Sequence, residues 1–162
     1  MRRNDGPDIV NMVEKIEIYK RAFETMTFEI DNSGQNETGG ILLGILETNK
    51  VVIKETVDGG FDAISTETSF TYDCKYVEHV ATRLIQLYNP PLKLVGVWHK
   101  HNSFHINPFS EDDLKLHKKI ADLVNEGAVS VLFQKKDLSE YEMNVFHIDG
   151  NGQCLMVEFD IV

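Results

Sequence analysis

Leu92-Lys93-Leu94-Val95-Gly96-Val97-Trp98-His99-Lys100-His101 reads as one strand whose middle is apolar almost without interruption. A strand that is apolar on both faces is covered on both, which places it at the centre of a sheet. Asn89-Pro90-Pro91 stands before it and ends whatever helix precedes, because proline cannot donate the next helical hydrogen bond. That helix starts at Asp73, a natural N-cap, and carries Val77, Val80, Ala81, Leu84 and Leu87 on one face. Further upstream, 41–46 and 51–57 read as paired strands around an Asn49-Lys50 turn. Ala22, Phe23, Met26 and Ile30 recur at helical spacing, and the polar 31–36 stretch stops them. Ile16 and Ile18 alternate with charge in a short first strand. Downstream, a helix from Ser110 to Glu126 stops at Gly127, and strands follow over 128–134, 141–148 and 155–161. Asp149-Gly150-Asn151-Gly152 turns the last two into a hairpin.

The predicted order of elements is β-α-β-β-β-α-β-α-β-β-β. It predicts an α/β sandwich, with a mixed, largely antiparallel sheet flanked by about three helices. The chain's 162 residues fit one domain over 15–162, after a weakly ordered segment over 1–14. Its 26 acidic and 16 basic residues give a formal net charge of -10, so it lacks the basic footprint that a nucleic-acid binder needs. No stretch is long and apolar enough for a membrane span, and no apolar run follows Arg2-Arg3 to make a secretory signal. Cys74 and Cys154 have no metal-site spacing and read as reduced thiols, so a cytoplasmic address is expected.

The polar chemistry gathers at the end of the central strand. His99 and His101 are two apart and project from one face; Val95 and Val97 precede them there, with Leu94 and Trp98 on the other. Asp113 leads the stripe Asp113, Leu116, Ile120, Leu123, which puts a carboxylate on the core-facing side of the next helix. Ser110-x-x-Asp113 taken alone is close to a capping box, and His-x-His taken alone is a weak metal signal. Joined by an eight-residue loop after a buried strand, they read together as three metal ligands. Capping and ligation are compatible, because Ser110 can cap while Asp113 turns inward. Two imidazoles and one carboxylate leave zinc a fourth position for water, the pattern of a catalytic site. Other His-x-His enzymes fit poorly. His101 is followed by Asn102-Ser103-Phe104 where metallo-β-lactamase-like sites continue with Asp-His, and zinc deaminases need a Cys-x-x-Cys partner.

His99-x-His101, the loop, and Ser110-x-x-Asp113 resemble the JAMM (JAB/MPN) motif. Upstream, Glu37-Thr38-Gly39-Gly40-Ile41-Leu42-Leu43-Gly44 resembles the family's Glu before a glycine-rich strand. The resemblance spans about Lys15 to Val162. It departs at Lys100, where Ser or Thr is common, at Asn102, where Pro is common, and in a loop one residue longer than usual. It implies a JAB/MPN, cytidine-deaminase-like sandwich holding one zinc per chain on His99, His101 and Asp113. Glu37 would be the general base and Ser110 an oxyanion donor. His105, inside the loop, reads as a side chain near the cleft, with a substitute ligand as the alternative. The implied activity is a deubiquitinase-like metalloprotease, cutting a peptide or isopeptide bond after the tail of a ubiquitin-like protein. The compact chain resembles stand-alone prokaryotic members, which work beside activating and conjugating enzymes, including in antiviral defence. Two other readings are a catalytically silent MPN scaffold, against which the intact ligand set argues, and a RadC-like DNA-associated domain, against which the acidic charge argues.

Overall fold

The computed structural model describes residues 13–102, 109–124 and 127–162, with the backbone alone at 123 and 124. Most of the 1–14 segment lies outside these residues, as do His105 and Glu126. Val13 packs on the core, and Glu14 donates its N–H to Asn49 O at 2.8 Å.

The chain runs β1 (Lys15–Ile18), α1 (Lys20–Asn32), β2 (Thr38–Glu47), β3 (Lys50–Asp58), β4 (Ile64–Ser65), β5 (Phe70–Thr71) and α2 (Cys74–Gln86). It continues β6 (Lys93–His101), α3 (Glu111–Val124), β7 (Ala128–Lys135), β8 (Tyr141–Ile148), β9 (Cys154–Met156) and β10 (Glu158–Ile161). The sequence signals act where they were read. Asp73 caps α2 by accepting the Tyr76 N–H at 3.2 Å. Asp149 Oδ1 accepts the N–H groups of Asn151 and Gln153, each at 2.9 Å, and so closes the β8–β9 hairpin. Gly127 takes φ +91°, the left-handed conformation its place after α3 calls for.

Eight strands form one sheet in the order β10-β1-β3-β2-β6-β7-β8-β9, and β4 pairs with β5 in a separate ribbon. The two ends of that order, β9 and β10, are separated in the chain by Val157 alone. Val157 also donates its N–H to Val145 O at 2.9 Å. The sheet therefore curls until its edges approach, giving a nearly closed barrel with three helices among the described residues.

This corrects the expected JAB/MPN sandwich, a sheet flanked by helices. The cause lies in 155–161, which the alternation of residues predicts as one strand. The chain breaks at Val157, and its two halves extend opposite ends of the sheet. The strand mixture is also more even than expected, because β1 is parallel to both β10 and β3, and β6 is parallel to β7.

A second correction concerns β6. Leu42 pairs with Gly96 but Leu43 with Leu94, so Val95 is an extra residue on β6. A bulge of this kind reverses the alternation. Val95 packs with Trp98 in the main core, whereas Leu94 joins Val97 on the opposite face. That main core takes Ala22, Met26 and Ile30 of α1, with strand residues from both ends of the sheet, such as Ile18 and Val145. Each of these side chains larger than alanine contributes roughly 1.5–3 kcal/mol on burial. The other face is covered by α2 over Leu43 and Val57, and by α3, whose Ile120 and Ala121 pack on Val97 and Ala128. His99 and His101 share the α3 face with Val97. No helix among the described residues is long and apolar enough to cross a membrane.

Candidate metal centre

Three elements bring the site together. The end of β6 supplies His99 and His101, with their ring centroids 4.5 Å apart. The first turn of α3 supplies Asp113. Its Oδ2 lies 3.5 Å from His101 Nε2 and 3.7 Å from His99 Nε2, and the three side chains are 12–22% exposed. The residue just before β2 is Glu37, brought to the site because Thr38 pairs with Lys100 and Gly39 with His99. All four residues, with Ser110, line one cleft of about 530 Å3.

The sequence offered a capping box or a ligand set at Ser110 and Asp113, and the geometry contains both. Ser110 N–H donates to Asp113 Oδ2 at 2.8 Å, and Asp113 N–H donates to Ser110 Oγ at 3.2 Å. Ser110 Oγ thus accepts from the backbone and keeps its own proton free to donate. Glu111, Asp112 and Asp113 in the first turn suit the positive end of the helix dipole.

The donor set fits a metal ion. One ligand atom each from His99, His101 and Asp113 can be chosen so that all lie within 4.8 Å of one another. At 3.7 Å from the carboxylate, His99 Nε2 is buried without a hydrogen-bond partner among the described residues. An orphan of this kind is costly unless something else satisfies it, and a cation between the three groups would. Two nitrogens and one oxygen suit zinc.

The electrostatics agree with that fit. Burial lowers the His99 pKa below its ordinary value, so the ring is neutral and has a lone pair to offer. Burial pushes the Asp113 carboxyl up, but the pull of His101 and His99 and the Ser110 N–H outweigh it and hold it far below the carboxylate range. Glu37 moves the other way: burial raises it, the Asp113 charge adds to the rise, and His101 and Lys100 oppose it. Two carboxyls in one cleft with pKa values driven apart suit a ligand and a proton acceptor.

Sequence reasoning missed three cleft residues. His117 follows Asp113 by one helical turn, is fully buried, and has neither ring nitrogen hydrogen-bonded to any of the described residues. Its ring stands edge-on to Phe109 at 4.9 Å and 6.4 Å from His99. Tyr72, which also lines the cleft, has its pKa raised well above the ordinary value by burial and by Asp113. The i, i+4 spacing from Asp113 to His117 was the available signal; nothing local marked Tyr72 or Phe109. Of the core stripe expected on α3, Leu116 and Ile120 pack on the sheet, and the Leu123 side chain lies outside the described residues.

The fold and cleft define a class: a mixed α/β protein with a curled eight-stranded sheet and a His-His-Asp cluster at the end of a central strand. No family model matches the chain, and no curated protein does. It is similar to the solution structure of protein DSY2949 from Desulfitobacterium hafniense, with a TM-score of 0.66 and 16% identity, over 91% of this chain and 92% of that one. At that identity the likeness shows the fold alone.

Proposed function

We propose that the protein is a zinc-dependent hydrolase of peptide or isopeptide bonds, working with chemistry like that of the JAMM motif. The observation that carries this reading is the meeting of His99, His101 and Asp113 in one cleft with a carboxylate, Glu37, that is not among the clustered ligands. His99, His101 and Asp113 would hold the ion. When bound, zinc supplies a Lewis acid that brings the pKa of water toward neutrality and polarises a carbonyl.

Everything else falls to the chain. Glu37, with its raised pKa, accepts the proton of the attacking water at its carboxylate and returns it to the departing amine. Ser110 donates its hydroxyl proton to the substrate carbonyl oxygen as negative charge develops there. The Ser110–Asp113 cap holds that hydroxyl at the helix start.

The substrate class follows from the resemblance: the tail of a ubiquitin-like protein or its conjugate, with activating and conjugating enzymes as pathway partners, in an antiviral setting. The free cysteines Cys74 and Cys154 suit the reducing cytoplasm proposed as its location. The experiment is zinc content and cleavage of ubiquitin-like fusions by wild type and Glu37→Gln. The reading requires about one zinc in both proteins and turnover in the wild type alone; cleavage by Glu37→Gln at the wild-type rate removes Glu37 as base.

A further inference from the structure

We propose that Lys100 and Asn102, on either side of His101, are positioning residues that clamp the Glu37 loop to the ligand strand, so that base and ligands move as one body. The inference rests on Glu37 being the base. It comes from the two positions where the sequence departs from the JAMM pattern.

His99 and His101 face the cleft, so Lys100 and Asn102, alternating with them, face the segment between α1 and β2. Lys100 is fully buried, and its Nζ donates to Ser33 Oγ and to Gly34 O, each at 2.7 Å. Ser33 is the C-cap of α1, and carbonyls at a helix C-terminus attract a cation. The ammonium also lies 5.0 Å from the centre of the Tyr141 ring. Asn102 grips the next residue, donating from Nδ2 to Gln35 O, and also reaches Glu67 O at 3.4 Å. Its Oδ1 accepts from Tyr141 Oη at 3.1 Å, so Tyr141 braces both residues.

Consecutive positions 33, 34 and 35 are therefore tied to β6, two residues before the base. Glu37 is then fixed by its own backbone: its N–H donates to Thr66 O at 2.7 Å, and its carbonyl accepts from Ser65 Oγ. Proline at 102 could make neither donation, and Ser or Thr at 100 could not reach the end of α1. A buried ammonium is costly unless its protons are satisfied, and here that cost is met by the loop that carries Glu37.

The test uses Asn102→Asp and Lys100→Met. Aspartate keeps the acceptor for Tyr141 but loses both donations; methionine keeps length and loses the ammonium. Hydrogen exchange should quicken about 10-fold or more at amides 35–38 and 66–69 and stay unchanged in β7 and over 145–148 of β8, a change of about 1.4 kcal/mol in local opening. Cobalt bound in place of zinc should remain stoichiometric, with its visible spectrum moved away from wild type toward that of Glu37→Gln. A structural role alone would not produce that spectral change. Wild-type exchange and spectra in both variants, faster exchange throughout the sheet, or loss of the metal would each overturn the clamp. Its failure is distinct from failure of the base: full turnover by Glu37→Gln removes the base and leaves the exchange result to decide the clamp.

Discussion

The Asp113 oxygen that accepts the Ser110 N–H at 2.8 Å is the oxygen that stands 3.5 Å from His101 Nε2. One atom thus caps a helix and faces the metal cluster, and the two roles can be separated by substitution. Asp113→Asn keeps a side-chain acceptor for the cap, so the metal-free protein should still fold, but less stably near neutral pH, because the carboxylate that His101, His99 and the Ser110 N–H hold ionised is gone. Zinc should also be lost, because the anionic ligand is gone. Urea denaturation beside elemental analysis reads both effects; a variant that keeps stoichiometric zinc would remove Asp113 from the ligand set.

Ser110→Ala should act differently. Losing the Oγ that accepts the Asp113 N–H costs about 1 kcal/mol of stability. Zinc stays, while turnover falls by roughly 10²–10³, the usual effect of removing one oxyanion donor. Unchanged kcat on any cleaved fusion would leave Ser110 as a cap only.

Zinc should stabilise the fold through linkage. At a free concentration near 100 times Kd the gain is about 2.7 kcal/mol, roughly 5–10 °C in Tm for a domain of this size. His101→Ala should melt at the same temperature with and without zinc. An equal shift in both proteins would mean that the ion binds elsewhere.

The site was more legible in the sequence than the fold around it. His99 and His101 share a face because alternation is local, and Ser110 and Asp113 bond because a capping box spans three residues. The curl was not legible, because it depends on Val157 dividing 155–161 between the two ends of the sheet. The bulge at Val95 was hidden for a similar reason: it is a matter of register between β6 and β2, which no single strand displays. Lys100 and Asn102 showed as departures from a pattern, but their partners lie 66 and 67 residues away for the closest contacts.

The glycine-rich start of β2 has a packing reason that can be tested at Gly40. A Cβ there would stand 1.9 Å from Val57 O and 2.4 Å from Trp98 Nε1. Both neighbours belong to a filled interior, Trp98 being fully buried and edge-on to Phe133 at 6.4 Å. Gly40→Ala should destabilise by about 1–3 kcal/mol or more through overpacking. Gly150→Ala, where a Cβ meets nothing within 4 Å, is the control and should change little. Equal effects at the two sites would contradict this packing.

His117 makes the protein's acid sensitivity predictable. Burial, with His99 nearby, lowers its pKa to about 4 against the opposing pull of Asp113, while an unfolded histidine titrates near ~6.5. Above ~6.5 both states are neutral there and the group adds no pH dependence. As pH falls from ~6.5 toward 4, the unfolded chain takes a proton that the folded chain refuses, so stability is lost across that window. Below 4 both states are protonated and the loss stops. The total is on the order of 3 kcal/mol. His117→Leu fills a similar volume and removes two buried nitrogens that have no hydrogen-bond partner among the described residues, so it should equal or exceed wild type at pH ~7. Its advantage should widen by up to about 3 kcal/mol near pH ~4.5. Urea midpoints of both metal-free proteins at the two pH values measure this, with the remaining histidines common to both curves. Parallel losses in the two proteins would mean that the folded chain accepts the His117 proton as readily as the unfolded one.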